Sequence, residues 1–338
     1  MRRRLRQKRW IATGVLAALA LAVAVLILAR PIHPGAQLAV ITGAGAAASC
    51  ASAPVAARQA GYCANTLSST VFNASTVDMG LTTNPGFTWY FYGWYNTPTA
   101  ANVKVNGPNV VVGESGDSFQ ATLSSATKTA IAPFYRGVAF GGGGYFEVTA
   151  SFTAVSDPGN PNWEGPLWTS ALEPMVPLAD YQWVGQTTGP PPYGHFFEGD
   201  VIEYFQGKFG NPLGQYSATS HDWSGQNNSH DEADQHPIRV SQESFSHPHR
   251  YGMLWMPATV SSDGKVCYYY DGAQQACTTY RQFTNDGAQS PPSAGQGWEY
   301  GVIDIDHLVL IMGCANEHPC TINSVQVWQA SAADNLRN

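Results

Sequence analysis

From about residue 65 onward, short runs dense in Val, Phe, Tyr, Trp and Thr alternate with clusters of Gly, Pro, Asn and Asp. The runs are Phe87 to Tyr95, Asn109 to Gly113, Tyr145 to Phe152, Val201 to Phe205, Tyr251 to Trp255, Val266 to Tyr270, Leu308 to Met312 and Ile322 to Trp328. Hydrophobic, β-branched and aromatic runs of this length between turn formers predict strands. No segment there carries an apolar helical stripe over three turns, and strands do not alternate with helices, so the pattern predicts a sandwich or barrel. Ser261-Ser262-Asp263-Gly264 ahead of Lys265 to Tyr270, with Asp271-Gly272 behind it, marks one strand bounded by turns at both ends.

The N-terminus follows a different pattern. MRRRLRQKRW holds six Arg or Lys, and residues 11–29 are 19 uncharged, almost wholly apolar residues. That length spans a bilayer, exceeds the usual apolar run of a secretory signal, and ends at Arg30-Pro31 rather than at a small-residue cleavage site. The reading is a basic cytoplasmic segment (1–10), a transmembrane signal anchor (11–29), an Ala/Gly/Pro-rich linker (30–62), an all-β domain (63–330) and a C-terminal tail (331–338). The Arg cluster stays in the cytoplasm, which sends the domain to the extracytoplasmic side, periplasmic or cell-surface. Cleavage of the anchor would release it as a secreted protein.

Composition narrows the partners. The chain of 338 residues is 44% hydrophobic and 12% charged, with net charge -7, and its basic residues gather at the N-terminus. The body of the chain has no basic stripe for nucleic acid. The six cysteines fall as sequence neighbours, Cys50 with Cys63, Cys267 with Cys277 and Cys314 with Cys320. Local pairing is the simplest assignment and suits an oxidising compartment. None has CxxC spacing, which argues against a zinc ribbon or a thioredoxin-like site.

Candidate chemistry concentrates in Phe196-Phe197-Glu198-Gly199-Asp200-Val201-Ile202-Glu203-Tyr204-Phe205, three acids inside an apolar strand. Acids are rare in buried strands without a task. Residues 198 and 200 share a face of a regular strand, whereas 203 falls on the opposite one. One extra residue in a bulge at Val201-Ile202 would return Glu203 to the acid face. Three neighbouring carboxyls raise one another's pKa, which separates a protonated acid from an ionised nucleophile.

This motif resembles the E-x-D-x-(x)-E signature of glycoside hydrolase family 16 in its longer, bulged form. Further collinear matches are Phe87-Thr88-Trp89-Tyr90, Gly144-Tyr145-Phe146-Glu147-Val148, Trp163-Glu164-Gly165-Pro166-Leu167-Trp168, His249-Arg250-Tyr251-Gly252-Met253-Leu254-Trp255 and Val325-Gln326-Val327-Trp328-Gln329. The resemblance implies a concanavalin A-like β-jelly roll of two antiparallel sheets with a concave cleft. It implies an endo-acting, retaining hydrolase or transglycosylase of a β-linked polysaccharide such as a β-glucan. The protein itself is expected to be a monomer. Glu198 would be the nucleophile, Glu203 the acid/base and Asp200 the residue tuning the pair. No cofactor is required by the resemblance; the family often carries a structural Ca²⁺, for which no ligands are assigned. Gly199 departs from the family, which usually has an aliphatic residue there, and so does Phe197, where a small residue is more common.

Sugar rings stack on aromatic planes, so the tryptophans Trp163, Trp168, Trp183 and Trp223 are candidate substrate contacts, Trp168 foremost because the resemblance sets it beside the acids. His221, about twenty residues after the motif, is a candidate glycan contact by the same resemblance. Five histidines from His221 to His249 invite a zinc reading, but their irregular spacing and the intervening Gln226 to Ser229 and Pro237 read as a solvated loop at the cleft rim. The rival function is a membrane-anchored lectin that binds glycans on the same jelly roll without cleaving them.

Overall fold

A computed structural model describes residues 50–92, 99–101, 103–112, 122–152, 164–176, 193–204, 212–226, 230–282, 299–314, 319–331 and 333–338. The basic segment and the apolar run 11–29 lie outside these residues, among which no helix is long and apolar enough to cross a membrane.

Period-two alternation sorts each strand between two faces. In Gly144–Phe152, Phe146, Val148, Ala150 and Phe152 enter the main core, while Tyr145 enters a second cluster on the other face. Among the described residues one sheet has eight strands, in the order Ala273–Tyr280, Gly264–Tyr270, His249–Met256, Gly144–Phe152, Cys320–Gln329, Asn109–Val112 and Val103–Asn106, with Ala64–Ser69 also paired to Cys320–Gln329. The other runs His230–Arg239, Gln215–Gln226, Tyr193–Tyr204, Glu164–Ala171, Leu308–Met312, Leu123–Ser124 and Tyr90–Phe91, with Ala126–Lys128, Tyr135–Phe140 and Asn335–Arg337 attached through Tyr135–Phe140. Strand pairs are antiparallel throughout. The main core lies between the two sheets and is aromatic-rich. Tyr204 stacks on Phe245 at 3.7 Å and 13°, one of the aromatic pairings that add to simple area burial.

The turn expected after Tyr270 is present: Asp271 and Gly272 both have positive φ, 49° and 82°, as a two-residue hairpin turn requires. Cys267 faces Cys277 across that hairpin and is bonded to it, so the bridge joins the two strands side by side rather than stapling a loop. Cys50–Cys63 and Cys314–Cys320 are bonded as well.

Three expectations are corrected. Residues 50–62, read as part of the linker, instead form a cover over the outer face of the eight-stranded sheet. It contains the helix Val55–Gln59, and Ala53, Ala56, Ala57 and Tyr62 pack on Tyr145, Leu254, Tyr269 and Trp328. Small alanines let the backbone lie close to those rings, and the Cys50–Cys63 bridge closes the cover. The tail 331–338 contains a strand, Asn335–Arg337, paired with Tyr135–Phe140. Finally, His230–Arg239 is an edge strand and not a loop, with Pro237 inside it. Its sequence HDEADQHPIR lacks apolar alternation because the strand is largely exposed, and proline is tolerated where one side of a strand has no ladder to complete.

Candidate active site

The acid-bearing strand Tyr193–Tyr204 lies between Gln215–Gln226 and Glu164–Ala171. Glu198 pairs with His221 and Ser170, and Asp200 with Thr219 and Trp168. Beyond Asp200 the register slips. Glu203 pairs with Ser217, so three steps on the acid strand match two on its neighbour. On the other side Ile202 pairs with Leu167, two steps against one. Val201 and Ile202 are consequently both buried in the core, and Glu203 returns to the face of Asp200. The bulge that the parity of the three acids demands is therefore present at Val201–Ile202.

Each acid has its own donor, and all three donors come from alternate residues of the strand Gln215–Gln226. Trp223, opposite Phe196, donates its indole N–H to Glu198 Oε2 at 2.6 Å. His221, opposite Glu198, reaches Asp200 Oδ2 with Nε2 at 2.9 Å. Thr219, opposite Asp200, donates its hydroxyl to Glu203 Oε2 at 2.8 Å. Every contact runs diagonally by one side-chain position, within the ordinary reach of cross-strand neighbours.

Electrostatics separate the groups. Burial, then the charge of Asp200, pushes the Glu198 carboxyl up to about 8, against the opposing pull of His221 and the Trp223 hydrogen bond. Burial disfavours the His221 imidazolium, but the hydrogen bond and charge of Asp200, with Glu198 and Asp231, outweigh it and carry His221 up to about 10. The ring is therefore a cation at neutral pH, set among carboxylates.

Gly199 has a physical account. A Cβ there would lie 2.8 Å from Met253 Sδ, 2.9 Å from Phe197 Cε1 and 3.0 Å from Thr169 Oγ1. The volume that an aliphatic residue would take is occupied by these groups, and Phe197 is wholly buried among them. On the core side of the strand, the Phe197 backbone N–H donates to Asp306 Oδ2 at 2.9 Å, and His195 pairs with Asp222 at 2.5 Å. The acids thus stand on a strand fixed from behind by polar as well as apolar contacts.

Of the candidate aromatic contacts, Trp168 pairs across the sheet with Asp200 and is buried among Val309, Ile311 and Tyr92. Trp223 is half-buried beside Glu198. Trp163 and Trp183 lie outside the described residues. His221 has both ring nitrogens on carboxylates, Nε2 on Asp200 and Nδ1 on Asp231 at 2.9 Å. Thr219 and Asp231 were not among the residues singled out from sequence. The signal for Thr219 was present, because residues 219, 221 and 223 share parity; Asp231 carried none. Donor atoms of Asp200, Glu203 and His221 lie within 4.8 Å of one another. The hydrogen bonds they make account for that spacing, and we assign no metal to them.

No family model matches the chain, and no curated protein matches it. Its structure is similar to solved β-sandwich proteins, enzymes and lectins among them. Porphyranase B from Zobellia galactanivorans is 13% identical, with 72% of this chain and 85% of that one covered at a TM-score of 0.42. A glycoside hydrolase family 16 endo-glucanase from Bacteroides ovatus is 11% identical, with 70% and 90% covered at a TM-score of 0.39. The exoplasmic/lumenal domain of VIP36, in a Ca²⁺- and Man3GlcNAc-bound form, is 10% identical, with 68% and 80% covered at a TM-score of 0.34. These likenesses concern the fold; the chemistry is read from the site's own residues.

Proposed function

We propose that the protein is a retaining, endo-acting glycoside hydrolase, or transglycosylase, of a β-linked polysaccharide. The observation that carries this reading is the bulge that gathers Glu198, Asp200 and Glu203 on one face, each with a separate donor. A glycan-binding surface needs polar groups, but it has no need of three carboxyls brought together against the parity of their own strand.

In this reading Glu198, once ionised, attacks the anomeric carbon, and the glycosidic C–O bond breaks as Glu203 gives its proton to the leaving oxygen. The glycosyl ester on Glu198 is then opened by water or a sugar hydroxyl, whose proton returns to Glu203. Asp200 sits between them and sets the charge that Glu198 feels. The Trp223 N–H steadies the ionised nucleophile, and the Thr219 hydroxyl orients Glu203. The half-buried Trp223 offers apolar surface beside the acids.

The apolar run 11–29 and the three disulfides support an extracytoplasmic, membrane-tethered setting. The reading is tested by incubating the protein with β-1,3-glucan, mixed-linkage β-glucan, xyloglucan and galactan and assaying new reducing ends. Cleavage of one of them is expected. Retention of a glycan without cleavage of any would establish the lectin instead.

A further inference from the structure

The slant by which the strand Gln215–Gln226 serves the acids continues one strand further out. Asp231, on the edge strand His230–Arg239, lies opposite Trp223 and reaches diagonally to His221, the same one-position offset that carries His221 to Asp200. Both Asp231 oxygens are in range of His221 Nδ1, at 2.9 and 3.0 Å. The result is an unbroken line across three strands, Asp231 to His221 to Asp200, ending at the carboxylate between Glu198 and Glu203. We propose that Asp231 is a positioning residue. Through His221 it holds a fixed positive charge against Asp200 and so sets the orientation of the carboxylate between Glu198 and Glu203.

Among the described residues, the surroundings of His221 offer no other partner for that role. From the acid strand it faces Glu198 and Asp200, with Glu203 close behind. On its own strand the Trp223 ring lies alongside at 5.7 Å and 17°. From the outer strand comes Asp231, while the residue directly opposite, Ala233, carries no charge. Among the described residues no lysine or arginine is found with these neighbours, and His221 is the one cation of the cluster. A carboxylate on one ring nitrogen already favours the imidazolium, and a second on the other nitrogen also stops the ring from turning and locks it as a double donor. Asp231 is the more exposed of its two carboxylates, at 30% against 9% for Asp200. It can therefore be changed without opening the core.

The relay itself stands on this geometry; its catalytic consequence rests on Glu198 being the nucleophile. The full chain with labelled histidine is titrated by NMR, His221 being assigned by the signal lost in His221→Gln. In wild type His221 is expected to stay protonated well above its ordinary range. In Asp231→Asn its midpoint should fall by roughly one pH unit or more, and Asp231→Glu should restore it. In turnover, Asp231→Asn should lower kcat about tenfold with KM unchanged, again recovered in Asp231→Glu, as expected when an oriented charge-assisted hydrogen bond is lost. A His221 midpoint identical in wild type and Asp231→Asn overturns the relay, as does a variant in which KM rises and kcat does not move. Should the wild type cleave no polymer, the hydrolase reading falls while the titration still decides the relay.

Discussion

Thr219 lies directly opposite Asp200 in the sheet, yet its hydroxyl bonds Glu203, three residues further along, at 2.8 Å. The contact exists because the acid strand takes three steps there while its neighbour takes two. One extra residue thus gives the third acid both its face and its donor.

Thr219→Val keeps the shape of the side chain and removes that donor. The hydroxyl orients Glu203, whose acid/base role is worth about a hundred- to ten-thousandfold, so kcat should fall by roughly ten- to a hundredfold, beside a modest fall in melting temperature from a lost hydrogen bond of about 0.5–1.5 kcal/mol. Steady-state kinetics beside a thermal melt checks this. A loss of stability with kcat intact would mean that the hydroxyl serves the fold alone.

Glu198 gives a stability signature that needs no substrate. Its folded-state pKa, about 8, stands above the ordinary 4.5, so between those values the folded protein holds a proton that the unfolded chain has lost. Stability contributed by Glu198 is therefore full below 4.5, declines as pH rises through this window and is gone above about 8. Glu198→Gln cannot titrate. Its melting temperature relative to wild type should climb from pH 4.5 to pH 8 and then level off.

His221 has the opposite charge type and is also raised, from 6.5 to about 10. The stability it contributes as an imidazolium is fully present below 6.5 and is lost as pH rises through 10. The deficit of His221→Gln should accordingly be largest in acid and vanish in strong alkali. Because the imidazolium opposes the rise in the Glu198 pKa, the acid limb of the kcat/KM profile should move to higher pH in this variant.

Gly199→Ala places a methyl against Met253 Sδ, Phe197 Cε1 and Thr169 Oγ1. Overpacking of this kind costs about 1–3 kcal/mol. Met253→Ala in the same chain should recover part of the loss, and a double-mutant cycle by denaturant unfolding would show the coupling. Strict additivity would contradict the packing described here.

The acid cluster was legible because two rules collide in it. Alternation puts Glu198 and Asp200 on one face and Glu203 on the other, and a carboxylate facing the core is costly enough to force the bulge. Turn chemistry was equally plain at Asp271-Gly272, where both residues take positive φ. The edge strand His230–Arg239 was not legible, since a strand exposed at the rim needs no apolar alternation, and with it Asp231 went unseen. The cover at residues 50–62 was hidden for a related reason: alanines that pack a backbone onto aromatic rings have the composition of a linker. His221 was singled out as a glycan contact, whereas its pairing with Asp200 and with the second carboxylate behind its ring depends on register between strands that sequence does not specify.

The most direct measurement compares reducing-end release by wild type, Glu198→Gln and Glu203→Gln on whichever of the four polysaccharides the wild type cleaves. Removing a nucleophile or an acid/base that acts only in the transition state should lower kcat by roughly a thousandfold or more in each variant, with glycan binding retained. Cleavage that survives both substitutions would contradict the assignment of these carboxyls as the catalytic pair.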